Sequence, residues 1–311
     1  MIWDETFDFE KKEINILLIG EIVIDIIHNH KAKKKSIMIG GSPYNVCKNL
    51  TKLGISNRFY GAAGNDFYGY KVLEQIKAKK IDANIQISKK PTSFVIINQT
   101  VSSPTPVFNR SADSHIYINE KLKEDVLHSK ILHFTYWAIS KNPSRKTILE
   151  IIDIAKTNNT LIGFDPNYHP LLDNHDKTGF KILKDIINKV DIIKPSLDDS
   201  SRMFGKKTID EYLEIYESLG AKLIIMTLGK DGLIARFKGE TLRIPSVATK
   251  IIDSTGAGDA FWSGLYAGII NKLTIKQSLK LGLIFSALNL KQIGADFDIQ
   301  KYDELIKTIR W

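Results

Sequence analysis

"INILLIGEIVIDII", residues 14–27, is the stretch on which the fold turns. An almost unbroken apolar run ends at Ile19, Gly20 and Glu21 interrupt it, and a second apolar run follows with Asp25 inside it. It reads as a buried strand running into a second extended piece. A strand that is apolar on both faces belongs in a parallel sheet covered by helices. The rest of the chain repeats the theme. "NRFYGAAG" (57–64), "KILHFTYWAIS" (130–140), "TLIGFDPNY" (160–168), "VDIIKPS" (190–196) and "AKLIIMTLG" (221–229) are short strand-like runs. Helical patterns at 144–157, 178–189 and 208–219 separate the later ones, and "YGYKVLEQIKAKK" (68–80) is another. Such alternation predicts an α/β fold with a mostly parallel central sheet.

Between them, "SPYNVCKNLTKLG" (42–54) reads as a helix, with Ser42 as N-cap, Pro43 in the first turn and Gly54 just past the end. Val46, Cys47, Leu50 and Leu53 share one face, which makes the single cysteine a core residue rather than a nucleophile. "SFVIINQTVSSPTPVFNRSADSHI" (93–116) breaks the rhythm as a hairpin pair, a small β element standing off the main sheet.

Composition narrows the function classes. Lys and Arg exceed Asp and Glu by 44 to 35, but the lysines are dispersed and "HKAKKKS" (30–36) is short. No aromatic-basic module accompanies it, so a solvated surface is expected rather than a nucleic-acid partner. No apolar run has the ~20 residues of a membrane span, and the acidic N-terminus does not read as a secretory signal. One cysteine permits no internal disulfide, so a cytoplasmic setting is expected.

In open α/β sheets, ligands bind beyond the carboxyl ends of the strands. Four segments sit there: "GEIVID" (20–25), "FDPNY" (164–168), "KPSLDD" (194–199) and "TLGKDG" (227–232). The chemistry concentrates in "IDSTGAGDAFWSGLYAG" (252–268). It lacks the Lys-Ser/Thr ending of a P-loop, yet Gly256, Ala257 and Gly258 precede a helix. Small residues admit an anion to the free N–H groups and the positive end of the helix dipole. Asp259 stands beside that point. It is either a base for an attacking hydroxyl or an acid that merely stabilises the helix N-terminus.

"DSTGAGDAF" (253–261) resembles the C-terminal signature of the ribokinase-like (pfkB-type) carbohydrate kinases. "GEIVID", "GGSPYNVCKNLTKLG" (40–54), "GAAGNDFYGYKVLEQI" (61–76) and "TLGKDG" resemble further motifs of that family, in the same order, and the likeness spans 14 to about 296. It implies a three-layer α/β/α sandwich as one domain over 1–311, with β-lid segments around 22–40 and 91–119. It also implies an ATP-dependent transfer of the γ-phosphoryl group to a primary hydroxyl. "VFNRSADSHI" (107–116) and "FDPNYHP" (164–170) are most similar to fructokinases, so the implied product is fructose 6-phosphate from fructose. 2-Keto-3-deoxygluconate kinase, ribokinase and nucleoside kinase are the alternatives within the family. A catalytically silent sugar-binding regulator is the alternative outside enzymology.

Carried over residue by residue, the resemblance makes Asp259 the general base and the N–H groups from Gly256 to Asp259 the anion hole. Asp25, Gly40, Gly41 and Asn45 would hold sugar hydroxyls, with Arg110 reaching in from the lid and Asp165 and Asn167 contacting the sugar or ordering the site. Ser196, Thr227, Gly229, Gly232 and Gly258 would line the nucleotide site. Asp199 would act on Mg²⁺ brought with ATP, and Asp253 would help hold a monovalent cation such as K⁺. Three departures stand out. His169 stands where an Arg often follows the Asp-Pro-Asn segment. Ser196-Leu197-Asp198-Asp199 replaces the usual Asn-x-x-Glu, and no residue of "GLIFSALNL" (282–290) matches the Asn that edges the adenine pocket, Asn289 being off register. The partners implied are a small sugar and ATP. "SFVIINQTV" (93–101) could pair two copies through the lid or simply fold over substrate.

Overall fold

A computed structural model describes residues 2–29, 34–99, 106–172, 178–299 and 302–309. The turn of the hairpin at 93–116 and the start of the basic cluster, 30–33, lie outside them. The chain begins with β1 (Ile14–Ile19), β2 (Val23–Asn29), β3 (Lys34–Gly40), α1 (Ser42–Lys52), β4 (Asn57–Gly64), α2 (Phe67–Ala78), β5 (Ala83–Ser88), β6 (Phe94–Gln99) and β7 (Pro106–Asn109). It continues with α3 (Glu120–Leu127), β8 (Ser129–Thr135), α4 (Tyr136–Ile139), α5 (Ser144–Thr157), β9 (Leu161–Asp165), α6 (Thr178–Ile187) and β10 (Ile192–Ile193). The last third holds α7 (Leu197–Phe204), α8 (Ile209–Ser218), β11 (Leu223–Thr227), β12 (Leu233–Phe237), β13 (Glu240–Ile244), α9 (Ala257–Ile270), α10 (Ile275–Asn289) and α11 (Tyr302–Ile309).

The large sheet runs β13-β12-β11-β10-β9-β8-β1-β4-β5 among the described residues. It is parallel from β5 to β11, and only β12 and β13 pair antiparallel at one edge. Those two edge strands were not among the strand-like runs of the sequence. β1 explains why both faces are covered. Ile16 and Leu18 point into a core shared with Tyr44, Phe59, Phe261 and Phe285, whereas Leu17 and Ile19 point into one shared with Phe134, Ile151, Phe164 and Tyr216. All of these side chains are at most 1% exposed, so each face holds its own apolar core. The result is the three-layer ribokinase-like sandwich.

The expected stand-off element is a second sheet, β3-β2-β6-β7. β6 and β7 pair antiparallel as a hairpin, and β2 joins β6 in parallel. Because β1 leads directly to β2, Asp25 sits where the two sheets meet.

Helix starts follow capping chemistry. Asp66, Asn119, Ser196, Thr208 and Thr274 each accept a backbone N–H of the turn they open, the last three in reciprocal capping boxes. The start of α1 departs from the expectation. Gly41, at φ 114°, takes the cap position, and Ser42 is the first helical residue with no capping bond. Its hydroxyl is thereby released for another partner. No described helix is long and apolar enough to cross a membrane.

Candidate active site

The strand order changes direction at β1, which lies between β8 and β4, and a crevice opens beyond the carboxyl ends at such a point. Glu21 bridges it. Its Oε1 accepts the Ser42 N–H (3.1 Å) and its Oε2 accepts the Thr135 hydroxyl (2.9 Å). Burial pushes this carboxyl up to about 8 against those hydrogen bonds.

Asp259 lies across the crevice in the first turn of α9. Ser42 Oγ donates to its Oδ1 (2.6 Å) and Asn45 Nδ2 to its Oδ2 (2.8 Å). Burial raises its pKa to about 6, while those two donors pull the other way. A carboxylate so held is ionised near neutral pH and keeps lone pairs for an incoming hydroxyl. Asn45 also presents Oδ1, a buried acceptor with no partner among the described residues. Asp25 is raised to about 7, mainly by burial and then by the charge of Asp259.

The small-residue run leaves backbone donors open at the start of α9. Gly256 stands at φ 79°, a left-handed cap where a Cβ would run into Ala295. The Ala257 N–H turns back onto the Ser254 carbonyl (3.2 Å). Those of Gly256, Gly258 and Asp259 have no partner among the described residues, so the donor set is narrower than Gly256 to Asp259 throughout. Lys194, which the sequence reading did not single out, faces them. It is buried, pairs with Asp165 (3.0 Å), and its Nζ lies 3.6 Å from where a Gly258 Cβ would be. Asp165 is also held by Trp262 Nε1 (2.8 Å) and by the Asn167 N–H (3.1 Å), so it positions the lysine and Trp262.

Three cavities meet here. The central one, about 420 Å³, is lined by Asp25, Gly41, Asn45, Asn167, Lys194 and Asp259, among others. A second, about 400 Å³, contains Gly229, Gly232, Phe261 and Ser286 and shares Ser196, Asp198, Thr227, Ser254 and Gly258 with the first. A third, about 820 Å³, shares Asp25, Asn45 and Thr255 with the central one and includes Gly40. The centre is therefore a junction between two further spaces, with Asp259 and Gly258 at the crossing.

Several residues sit differently from expectation. Arg110 does not line the central cavity. Its guanidinium is held by Asp113 (2.7 and 2.9 Å), the Trp137 carbonyl and Ser140, and it lies over the Trp137 ring. Asp199 lines the cavity but caps α7, accepting Ser196 N–H (2.9 Å) and Oγ–H (2.6 Å), and burial raises its pKa. Its neighbour Asp198 is exposed, lines both the central and second cavities, and has no partner among the described residues. Asp253 spends both oxygens on Thr255 and the Gly294 N–H, as a loop clamp. Asn289 donates to the Thr255 carbonyl (2.8 Å) and is absent from the second cavity, where Ser286 and Ala287 stand instead. Among the described residues no cluster of three or more His, Cys, Asp or Glu could hold a metal alone. Cys47 is buried and its thiol pushed up by burial, an inert core residue.

The model of the pfkB family of carbohydrate kinases matches residues 13–301. The chain is 40% identical over 303 residues to an ATP-dependent 6-phosphofructokinase of Thermoanaerobacterium thermosaccharolyticum, covering 96% of this chain and 94% of that protein. The fructokinase structure of Halothermothrix orenii superposes with a TM-score of 0.77 at 31% identity, covering 87% of this chain and 98% of that one. A sugar kinase of Pyrococcus horikoshii in complex with ATP superposes with a TM-score of 0.80 at 26% identity, covering 94% and 99%.

Proposed function

The chain belongs to the pfkB family of carbohydrate kinases, and on that premise we propose that it transfers the γ-phosphoryl group of ATP to a primary hydroxyl of a ketohexose. The observation that carries this is Asp259, fixed by Ser42 and Asn45 beside the free N–H groups of α9 and opposite Lys194. Asp259 takes the hydroxyl proton as that oxygen bonds to the γ-phosphorus. The bond from phosphorus to the bridging oxygen breaks, ADP leaves, and the proton passes from Asp259 to solvent. Lys194 and the N–H groups of Gly256, Gly258 and Asp259 oppose the charge that spreads over the phosphoryl oxygens, which supplies most of the rate in such transfers.

The second cavity holds the nucleoside, and the sugar spans the third cavity and the central one, its hydroxyls meeting Asp25, Asn45 and Asn167. Arg110 acts at one remove, fixing Asp113 and Trp137 beneath the small sheet, which serves as the lid. Mg²⁺ arrives with ATP and neutralises phosphate charge. Ser196, Asp198 and Asp199 offer the hard oxygen donors such an ion takes, directly or through water. Asp253 braces the loop where a K⁺ ion would sit.

Fructose, phosphorylated to fructose 6-phosphate, is the first reading of the acceptor, supported by the likeness to the Halothermothrix orenii enzyme. Fructose 6-phosphate, phosphorylated at its other primary hydroxyl, is the second, supported by the 40% identity to a 6-phosphofructokinase. The chemistry at Asp259 is the same for both. An ADP-release assay over fructose, fructose 6-phosphate, 2-keto-3-deoxygluconate, ribose and adenosine tests the reading. Turnover with none of these, by a folded protein that binds ATP, would leave the silent sugar-binding regulator standing in its place.

A further inference from the structure

The third cavity contains a cation that the reaction at Asp259 does not use. Lys71 and Lys79 on its wall are neutralised by Glu74 (2.8 Å) and Asp296 (3.2 Å), and Asp296 also pairs with Lys52. Lys48, also on its wall, is 5% exposed and makes no hydrogen bond or ion pair with any described residue. Asp296, Asp259 and Asp25 attract it, while Lys52 and Lys79 repel it. Its Nζ is not sealed away but opens on this cavity, so an anion placed there would meet a cation with no competing acceptor among the described residues. Burial holds its pKa below the usual lysine range.

Placement along α1 shows where such an occupant would lie. Asn45 and Lys48 are three residues apart, hence neighbours on one helix face about 5 Å apart. Asn45 holds Asp259, at the reacting end. Lys48 therefore stands about one helical turn deeper in the acceptor space, a distance comparable to the length of a hexose.

We propose that Lys48 recognises an anionic group at the far end of the acceptor, and that the substrate is a sugar carrying a phosphate ester or carboxylate opposite the hydroxyl activated by Asp259. The inference rests on the kinase reading above and chooses within it. A phosphate monoester is the first expectation, since the cavity is roomy at about 820 Å³ and the cation presents up to three donors.

The test is equilibrium binding by calorimetry, without nucleotide and at fixed ionic strength, of D-fructose, D-fructose 6-phosphate and 2-keto-3-deoxygluconate. Wild-type protein is expected to bind one anionic sugar about ten- to a hundredfold more tightly than fructose. Preference for fructose 6-phosphate identifies the anion as phosphate, and preference for 2-keto-3-deoxygluconate identifies it as carboxylate. Lys48→Gln should remove that preference, and Lys48→Arg should restore part of it. Fructose binding as tightly as both anions in the wild type overturns the proposal, whether or not the variants fold. So does a preference that survives in a folded Lys48→Gln protein. A variant that shifts the pH profile of turnover but leaves the preference intact would make Lys48 a tuner of Asp25 and Asp259 instead. The kinase reading fails separately: Lys48-dependent binding of an anionic sugar with no ADP release would sink it while sparing this inference.

Discussion

Ser42 Oγ donates a 2.6 Å hydrogen bond to Oδ1 of Asp259, a residue 217 positions further along the chain. This bond ties α1 to α9, the helix that carries Asp259, and Asn45 repeats the tie on Oδ2. Asp259→Asn keeps both shape and size but cannot take a proton. Turnover should fall by about 10²–10⁴-fold, the range for a lost general base, with sugar affinity largely kept. Ser42→Ala removes one donor from a buried carboxylate and should move the acid limb of the pH profile up by about one pH unit, the equivalent of about 1.4 kcal/mol. Steady-state rates across pH read both effects. An Asp259→Asn enzyme with wild-type turnover would end the assignment of the base.

The rate should fall on the acid side of neutrality. Asp259 must be ionised to accept a proton, and burial places its pKa at about 6. Asp25 is higher, at about 7, in part because Asp259 is charged. The two titrate as a pair, so kcat/KM should drop through an apparent pKa between about 6 and 7 that belongs to both. Full activity at pH 5 would contradict this.

Much of this site was legible in the sequence, and what was not has physical causes. Asp25, inside β2, and Asn45, in the first turn of α1, become legible through the family likeness, whereas the residues around Asp259 alone leave it between a base and an acid that stabilises the helix start. Serine favours a cap position, and residue preference alone therefore puts Ser42 there. Gly41 at φ 114° occupies it instead, a backbone choice that residue preferences do not reveal. Lys194 and Lys48 look like solvated lysines in sequence. Their burial comes from Asp165, Trp262 and the α1–α9 contact, which lie far off along the chain. Arg110 was expected in the cavity, but Asp113, three residues on, claims its guanidinium first.

Gly40 gives a test of acceptor binding that leaves Asp259 untouched. A Cβ at this position would collide with the Asp25 carboxylate, the movable end of a side chain rather than backbone. Gly40→Ala should therefore displace that carboxylate without unfolding the protein. We expect KM for the sugar to rise about ten- to a hundredfold, as for comparable misplacement of a positioning group, with little change in Tm. A wild-type KM would remove Asp25 from the acceptor site.

Asp198 and Asp199 should separate cleanly. Asp199 closes the capping box of α7, so Asp199→Asn should weaken the helix start and cost about 1 kcal/mol of stability. Asp198 is exposed at the junction of two cavities and supports nothing else among the described residues. Asp198→Asn should keep Tm and raise the Mg²⁺ concentration needed for half-maximal turnover. EDTA should abolish turnover in both variants. Unchanged Mg²⁺ dependence in Asp198→Asn would return the metal role to Asp199.

Glu21 links the site to global stability. Folding lifts its pKa from an ordinary 4.5 to about 8 because the carboxyl is wholly buried between Ser42 and Thr135. Between those two pH values the folded protein binds more protons at this position than the unfolded chain. Stability therefore falls as pH rises through that window. Asp25 and Asp259, both raised, act in the same direction. Chemical denaturation should show a loss on the order of 3 kcal/mol from Glu21 between about pH 5.5 and 8, with Asp25 and Asp259 adding on the order of 2–3 kcal/mol, because one proton held across one pH unit is worth about 1.4 kcal/mol. Glu21→Gln can still accept the Ser42 N–H and can donate to Thr135, and it has no charge to bury. It should flatten the slope without abolishing it, and be the more stable of the two proteins at pH 8. Equal slopes for wild type and variant would mean that Glu21 is already ionised in the folded state.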